Sequence, residues 1–503
     1  MKKLSKQIVG QVISNSFIFA IMVLLFTPRF QNDIDIVMQA ILYGVQGESM
    51  SRLVFSNIFL GVVLELAVSI MPAVPWYLVF HYLVTYIALV VIGYITVMRN
   101  DSIAGKTCAF VISVFAGYEC YVTPSYMKTA ALLCVAGVYL LFYTISIKEK
   151  KVFMQALGVM LLVTSSMICF SVFCIVGLIS GVGIIAVILV DREQKVYVKE
   201  NIILLVVLVL VIFGFKLVDT ALYATGDEWN RTVEYSDVIE KVYGYGYPAY
   251  EERTSTDYEV NKEQYDAIVK GFFVTEDNYQ FDVLKSIAAE KKAISVDVID
   301  EYFKSVPIGM FKVGMFYLYI ILIVIYMLSE GEKNYVILGI VTALMLITYF
   351  FWYINYANTT LWVHFMTFMP ICILLLIGMK DLQIAEKEYI WSYIAILLVV
   401  MYVFLGEDTA YRARNSDFEV LAGVEEERAY VIDLTGYLKH STVWETYETD
   451  LLKTGNIYVG NGIYGLWPSY MRYTSMPYPE QGYGLPWIYN SSNIAVLDMY
   501  RPR

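Results

Sequence analysis

Charge is what this sequence is short of: Asp, Glu, Lys and Arg make up 17% of its 503 residues, against roughly a quarter in a soluble domain. Histidine is scarcer still, with three residues at positions 81, 364 and 440, and no spacing among them suits a metal ion. The six cysteines, at 108, 120, 134, 169, 174 and 372, all fall in hydrophobic segments, which leaves neither a disulfide framework nor a zinc motif. A Walker loop, a GxSxG turn and a Rossmann glycine pattern are also missing, which argues against an ATP-driven transporter and a serine hydrolase. The first apolar segment follows Lys2, Lys3 and Lys6 but runs into Thr27-Pro28-Arg29. Without a small-residue cleavage site it is expected to stay as an anchor.

What the chain has in abundance is apolar length. Hydrophobic residues are 58% of it and the mean hydropathy is +0.59. Twelve stretches approach the roughly 20 residues a helix needs to cross a bilayer, near 7–27, 53–71, 76–98, 107–122, 125–147, 152–170, 171–190, 201–218, 309–329, 335–356, 361–379 and 388–406. The expected fold is an all-α polytopic membrane protein of about 11–13 transmembrane helices, since helices satisfy backbone polar groups within lipid. Two long polar stretches interrupt the pattern. Between Asp219 and Lys304, nineteen acidic residues face nine basic ones, so ten of the chain's eleven net negative charges lie there. Such a surface is not expected to seek nucleic acid or anionic lipid.

Four regions follow: an N-terminal transmembrane module 1–218 with a first outer loop 28–52, an acidic loop domain 219–308, C-terminal transmembrane helices 309–406, and a C-terminal domain 407–503. In the last, short strands are expected at 429–434, 456–460 and 493–500 around a helix, a small α/β module. Basic runs at 148–151, 191–199 and 380–387, with the N-terminal lysines, mark the cytoplasmic side of a multi-pass protein of the cell membrane. Both polar domains then fall outside, which needs an odd number of crossings, so one of the twelve stretches does not cross. Suspicion falls on 53–98, where Met71-Pro72-Ala73-Val74-Pro75-Trp76 separates two segments, and equally on a short pair such as 107–147.

The first outer loop carries QNDIDIVMQAILYG, residues 31–44. Ile34, Val37, Met38 and Ile41 recur at helical spacing, and Asn32 or Asp33 supplies a cap, so a short helix is expected to lie in the interface with Ile34 toward lipid and both acids wet. Around it the chain reads NDIDIVMQAILYG, SRLVFSNIFLGVVLEL and MPAVPWY, with a second patch TPSYMKTAALLCVAG at 123–137. Phe55, Asn57, Gly61, Pro72, Trp76 and Tyr77 here resemble the opening of bacterial polytopic glycosyltransferases of the GT-C superfamily, in particular the O-antigen-type glucosyltransferase-like membrane proteins. The likeness covers about the first 150 residues. The acidic pair is here split by Ile34, and the late arginine such enzymes present to a donor phosphate is not evident in 356–370.

The resemblance implies transfer of a sugar from a polyprenyl-phosphate donor to a cell-surface glycan or glycolipid, in contact with the lipid bilayer. It makes Asp33 and Asp35 the catalytic candidates, with Asp33 favoured as base and Asp35 left to position a divalent cation, the acceptor or the helix; no other cofactor is expected. A base at that level deprotonates the acceptor hydroxyl while the phosphate leaves. Arg29, Arg52 and Lys128 are the cations available to steady its charge. Charges within apolar segments add Glu65 and His81 as cavity-lining or helix-bridging groups. Glu119 and Lys128 are spaced to pair across the Thr-Pro-Ser turn. Two rival classes stay open: a transporter or flippase, and a non-catalytic partner in polysaccharide assembly.

Overall fold

A computed structural model of the chain describes residues 2–26, 28–31, 33–44, 49–53, 55–147, 151–191, 196–225, 306–328, 332–355 and 361–378, with isolated positions between 233 and 304 and two short strands. The rest of the acidic loop domain, the apolar stretch 388–406 and most of 407–503 lie outside the described residues.

The described chain is mostly helical. In order it forms α1 (Lys2–Leu25), α2 (Asp33–Leu42), α3 (Ile58–Ile70), α4 (Trp76–Arg99), α5 (Ile103–Gly117), a π turn (Tyr118–Val122), α6 (Tyr126–Ser146), α7 (Val152–Ile168), α8 (Phe170–Val190), α9 (Val198–Tyr223), α10 (Gly314–Leu328), α11 (Glu332–Asn355) and α12 (Leu361–Gly378). Asn57 caps α3 by accepting from the Phe59 N–H, and Ser102 caps α5 by accepting from the Gly105 N–H, each meeting one of the donors a helix start leaves over. Seven helices among the described residues are long and apolar enough to cross a membrane: those within α1, α4, α6, α8, α9, α11 and α12.

Burial sorts these helices into a centre and a rim. Of the most apolar windows, 89% of that in α6 and 83% of that in α12 is buried, against 17% in α1 and 11% in α9. The rim helices expose large apolar side chains such as Phe17, Leu24, Ile203 and Leu217, the pattern of a surface solvated by lipid. At the centre the helices come close where glycines allow it: a Cβ on Gly137 of α6 would meet Leu162 of α7 at 2.7 Å.

Helix α3 begins and ends among the same neighbours. Its first residues bond to the end of α7 and the end of α9, through Asn57 N–H to Met167 O (2.8 Å) and Ile58 N–H to Asp219 Oδ1 (2.9 Å). Its other end runs into Trp76, whose N–H donates to Tyr43 Oη at 2.7 Å, while the Tyr43 hydroxyl donates to Val74 O. The starts of α4 and α6 and the ends of α7 and α9 all gather with α2 at one end of the bundle, whereas Tyr197 N–H reaches Ile145 O at the other. Both ends of α3, 13 residues apart, are therefore at the α2 end. Of the helices in stretch 53–98, α4 is the one long and apolar enough to cross a membrane.

The structure corrects the expected setting of α2. Its helix spans the expected residues, but Ile36, Met38, Ile41 and Leu42 are buried within the protein and Ile34 packs against the same core. The stripe faces protein instead of lipid, because the starts of α4 and α6 close over it. Further along, β1 (Tyr430–Ile432) and β2 (Ile457–Val459) pair in parallel, Tyr430 opposite Ile457; the remainder of the expected α/β module lies outside the described residues.

Candidate functional site

Asp35 sits where three elements converge. Carried on α2, it is 1% exposed, and its Oδ1 accepts both from the Tyr77 hydroxyl of α4 at 2.8 Å and from the Tyr126 N–H that opens α6 at 2.8 Å. A helix start favours an anion through its unpaired N–H groups and dipole. Asp35 Oδ2 has no hydrogen-bond partner among the described residues. Burial pushes the carboxyl up to about 7; the Tyr77 and Tyr126 bonds, the positive charge of Lys128 and the nearby Ser125 hydroxyl pull the other way. Ser125 stops short of hydrogen-bonding geometry. The expectation that Asp35 is open to bulk water is thus overturned: the acid is enclosed by protein, in a setting that leaves it able to take or give a proton near neutrality.

Tyr77 is positioned from two sides. Its ring lies 4.5 Å from that of His81, one helical turn on, and 5.9 Å from Phe30, edge on. His81 is 3% exposed and also packs against Phe80, and its Nδ1 finds no partner among the described residues. The sequence singled out His81 for its charge; here its ring steadies the tyrosine that holds Asp35.

A second centre lies in the π turn. Lys128 Nζ, fully buried, donates to Glu119 Oε2 at 2.6 Å and Thr123 Oγ1 at 2.9 Å, with Glu119 O and Thr123 O slightly further away. Glu119 Oε1 accepts from Gly314 N–H at 3.4 Å, and the Lys128 ammonium sits 6.0 Å from the Phe365 ring. The pairing anticipated across the Thr-Pro-Ser turn is therefore present, and it commits Lys128 to protein partners; it offers no face to a donor phosphate. Nearby, His364 of α12 shares a hydrogen bond with Tyr349 of α11, Nδ1 to hydroxyl 2.7 Å, while Gly309 crosses its far side so closely that a Cβ there would meet Nε2 at 2.1 Å. Neither Tyr77 nor the Tyr349–His364 pair was singled out as a site from the sequence; Tyr77 at four residues before His81 was the available signal.

The other sequence candidates are spread around this end. Arg29 is 5% exposed and its N–H donates to Val122 O at 2.9 Å. Arg52, partly exposed, reaches Leu222 O at a long 3.5 Å. Glu65 stands half-buried on α3 beside the exposed Val62, Val63 and Leu66. Asp33 begins α2, and its side chain lies outside the described residues. No three His, Cys, Asp or Glu side chains among the described residues gather as a metal site. Comparison with known proteins gives no match: no protein-family model fits the chain, no curated protein is similar to it, and no solved structure matches its fold.

Proposed function

We propose that this chain is a multi-pass membrane transferase that moves a sugar from a polyprenyl-phosphate donor to a cell-surface glycan or glycolipid, with Asp35 as the base. The observation that carries it is the Asp35 carboxyl: one oxygen fixed by two donors, the other without a partner among the described residues, and a pKa of about 7. A general base works best when its pKa lies near the working pH. In the reaction the acceptor hydroxyl gives its proton to Asp35 Oδ2, its oxygen bonds to the anomeric carbon, and the bond from that carbon to the phosphate oxygen breaks with the electron pair leaving on phosphate.

Charge along the chain supports an outward-facing site. Lys2, Lys3 and Lys6 in the first turns of α1 favour a cytoplasmic N-terminus, which turns the α2 end to the outside, at the level where a lipid-linked sugar meets the interface. Arg29 and Arg52 then stand on either side of α2. Asp35 replaces Asp33 as the favoured base, and the resemblance in 32–77 names the chemistry.

The test is sugar transfer by membranes containing Asp33→Asn, Asp35→Asn or neither, with protein level measured alongside. Loss of about 10²–10⁴-fold in Asp35→Asn alone is expected, the usual worth of a general base. Full transfer by well-accumulated Asp35→Asn protein would leave a non-catalytic role in assembly. Proton-coupled solute uptake lost with Asp35, without any sugar transfer in the parent, would mark a carrier instead.

A further inference from the structure

Five polar atoms on α2, on α4 beyond Tyr77 and at the start of α6 lie buried without a hydrogen-bond partner among the described residues: Asp35 Oδ2, Ser125 Oγ, His81 Nδ1, Thr85 Oγ1 and Thr129 Oγ1. All five residues are at most 3% exposed. His81 and Thr85 follow Tyr77 in four-residue steps, so the three share one face of α4, and Ser125 and Thr129 are related in the same way at the start of α6.

The register of the two helices sets these residues at matching heights. Arg99 lies over the Phe142 ring at 5.3 Å, and Thr96 lies beside Tyr139; both pairings give an offset of 43 residues between helices that run in the same direction. Carried back toward Asp35, that offset sets His81 level with Pro124 and Thr85 level with Lys128. Each is one residue, about 1.5 Å of rise, from Ser125 and Thr129. Below them it sets Ala88 and Leu89 level with Ala131 and Leu132, all four buried, so the next layer beneath the polar residues is apolar.

Two threonines of this set behave unlike others in the protein. Thr96 and Thr367 each donate back to the carbonyl four residues earlier, at 2.8 Å, the usual way a helix absorbs a buried hydroxyl. Thr85 and Thr129 make no such bond. A partner that can both donate and accept, small enough to lie between packed helices, meets hydroxyls, an imidazole nitrogen and a carboxylate oxygen together, and water is the ligand of that description.

We propose that a small cluster of ordered water molecules binds between these residues beneath Asp35, bonded to these five atoms, and stabilises the ionised form of the carboxylate. Facing Asp35 among the described residues are Tyr77 from α4 and Ser125, Tyr126 and Lys128 at the start of α6; of these four Lys128 brings a charge, and it is bonded to Glu119. The water supplies the extra hydrogen bonds that let a buried acid ionise without an ion pair of its own. The inference stands whether or not a sugar is the group transferred, because neither readout below involves transfer.

The purified full chain is exposed to hydroxyl radicals generated by X-rays in heavy-oxygen water. Label is expected on Tyr77 and His81 despite their burial, since internal water makes the radical in place; the absence of label on both would overturn the proposal. In parallel, the infrared band of the protonated Asp35 carboxyl, identified by its loss in Asp35→Asn, is titrated in the parent and in Thr85→Val/Thr129→Val. The midpoint should rise by about one pH unit in the double variant, the roughly tenfold worth of a hydrogen bond to a charged group. An unchanged midpoint in folded double variant counts against the water site, and should that variant not accumulate, labelling of the parent decides.

Discussion

Two buried carboxylates stand at the same end of this protein and are treated in opposite ways. Glu119, in the π turn, has a lysine ammonium at 2.6 Å and a backbone N–H on its other oxygen. Asp35, on α2, has a tyrosine hydroxyl and one N–H on a single oxygen. A buried ion pair is held by its mutual attraction and is costly to split. A buried acid held by neutral donors has no such lock, and its proton is exchangeable near neutral pH. The difference teaches which acid is architecture and which is available for chemistry, and no count of buried charges would have told them apart.

The strongest way to break the comparison is to treat Glu119 as Asp35 is treated. Lys128→Met strips the counter-charge from a buried carboxylate and should cost about 3–5 kcal/mol, seen as loss of the monodisperse folded protein in detergent; Glu119→Gln together with Lys128→Met should recover most of it. A stable Lys128→Met protein would mean that the pair is not structural.

The pH profile sharpens the contrast from the other side. Because the folded pKa of Asp35 is raised from 3.8 to about 7, the folded state holds the proton more tightly, so stability falls as pH climbs from about 4 to about 7 and is level above, by a few kcal/mol. Thermal midpoints measured across that range should slope downward in the parent and flatten in Asp35→Asn, whose carbonyl still accepts from Tyr77 and Tyr126. An equal slope in both proteins would assign the titration elsewhere.

A smaller effect is expected where the segment before α10 closes over the π-turn side. Gly309→Ala forces a methyl group against the His364 ring and should cost about 1–3 kcal/mol as overpacking, while leaving the Asp35 infrared titration where it was. A shifted titration would show that the two centres are coupled. The smallest effect belongs to Glu65→Gln, expected within about 0.5 kcal/mol in thermal stability and unchanged in transfer, as for a surface substitution; a large loss would put α3 into the site.

Sequence patterns reached some of this and not the rest for identifiable reasons. Helix spacing in 33–42 located α2, and the interval between Glu119 and Lys128 pointed to their pairing. Hydropathy could not say what covers Ile34, Met38 and Ile41, since lipid tails and the interior of a helix bundle are equally apolar; that ambiguity turned a buried helix into an expected interfacial one and a buried Asp35 into a wet one. The same ambiguity hid the course of α3, whose apolar residues satisfy both the core side at Leu60 and Leu64 and the exposed side at Val63 and Leu66. The meeting of Gly309 with His364, and of Tyr349 with the same ring, depends on how distant helices assemble and leaves no local mark.

A helix of 13 residues is about 20 Å long, and α3 presents Leu60 and Leu64 to the core and Val63 and Leu66 outward. Five residues separate its end from α4, and the second residue of α4 is Tyr77, the hydroxyl that holds Asp35. The short apolar helix and the buried acid thus share one stretch of chain, and a displacement of α3 has only those five residues in which to be absorbed before it reaches the tyrosine.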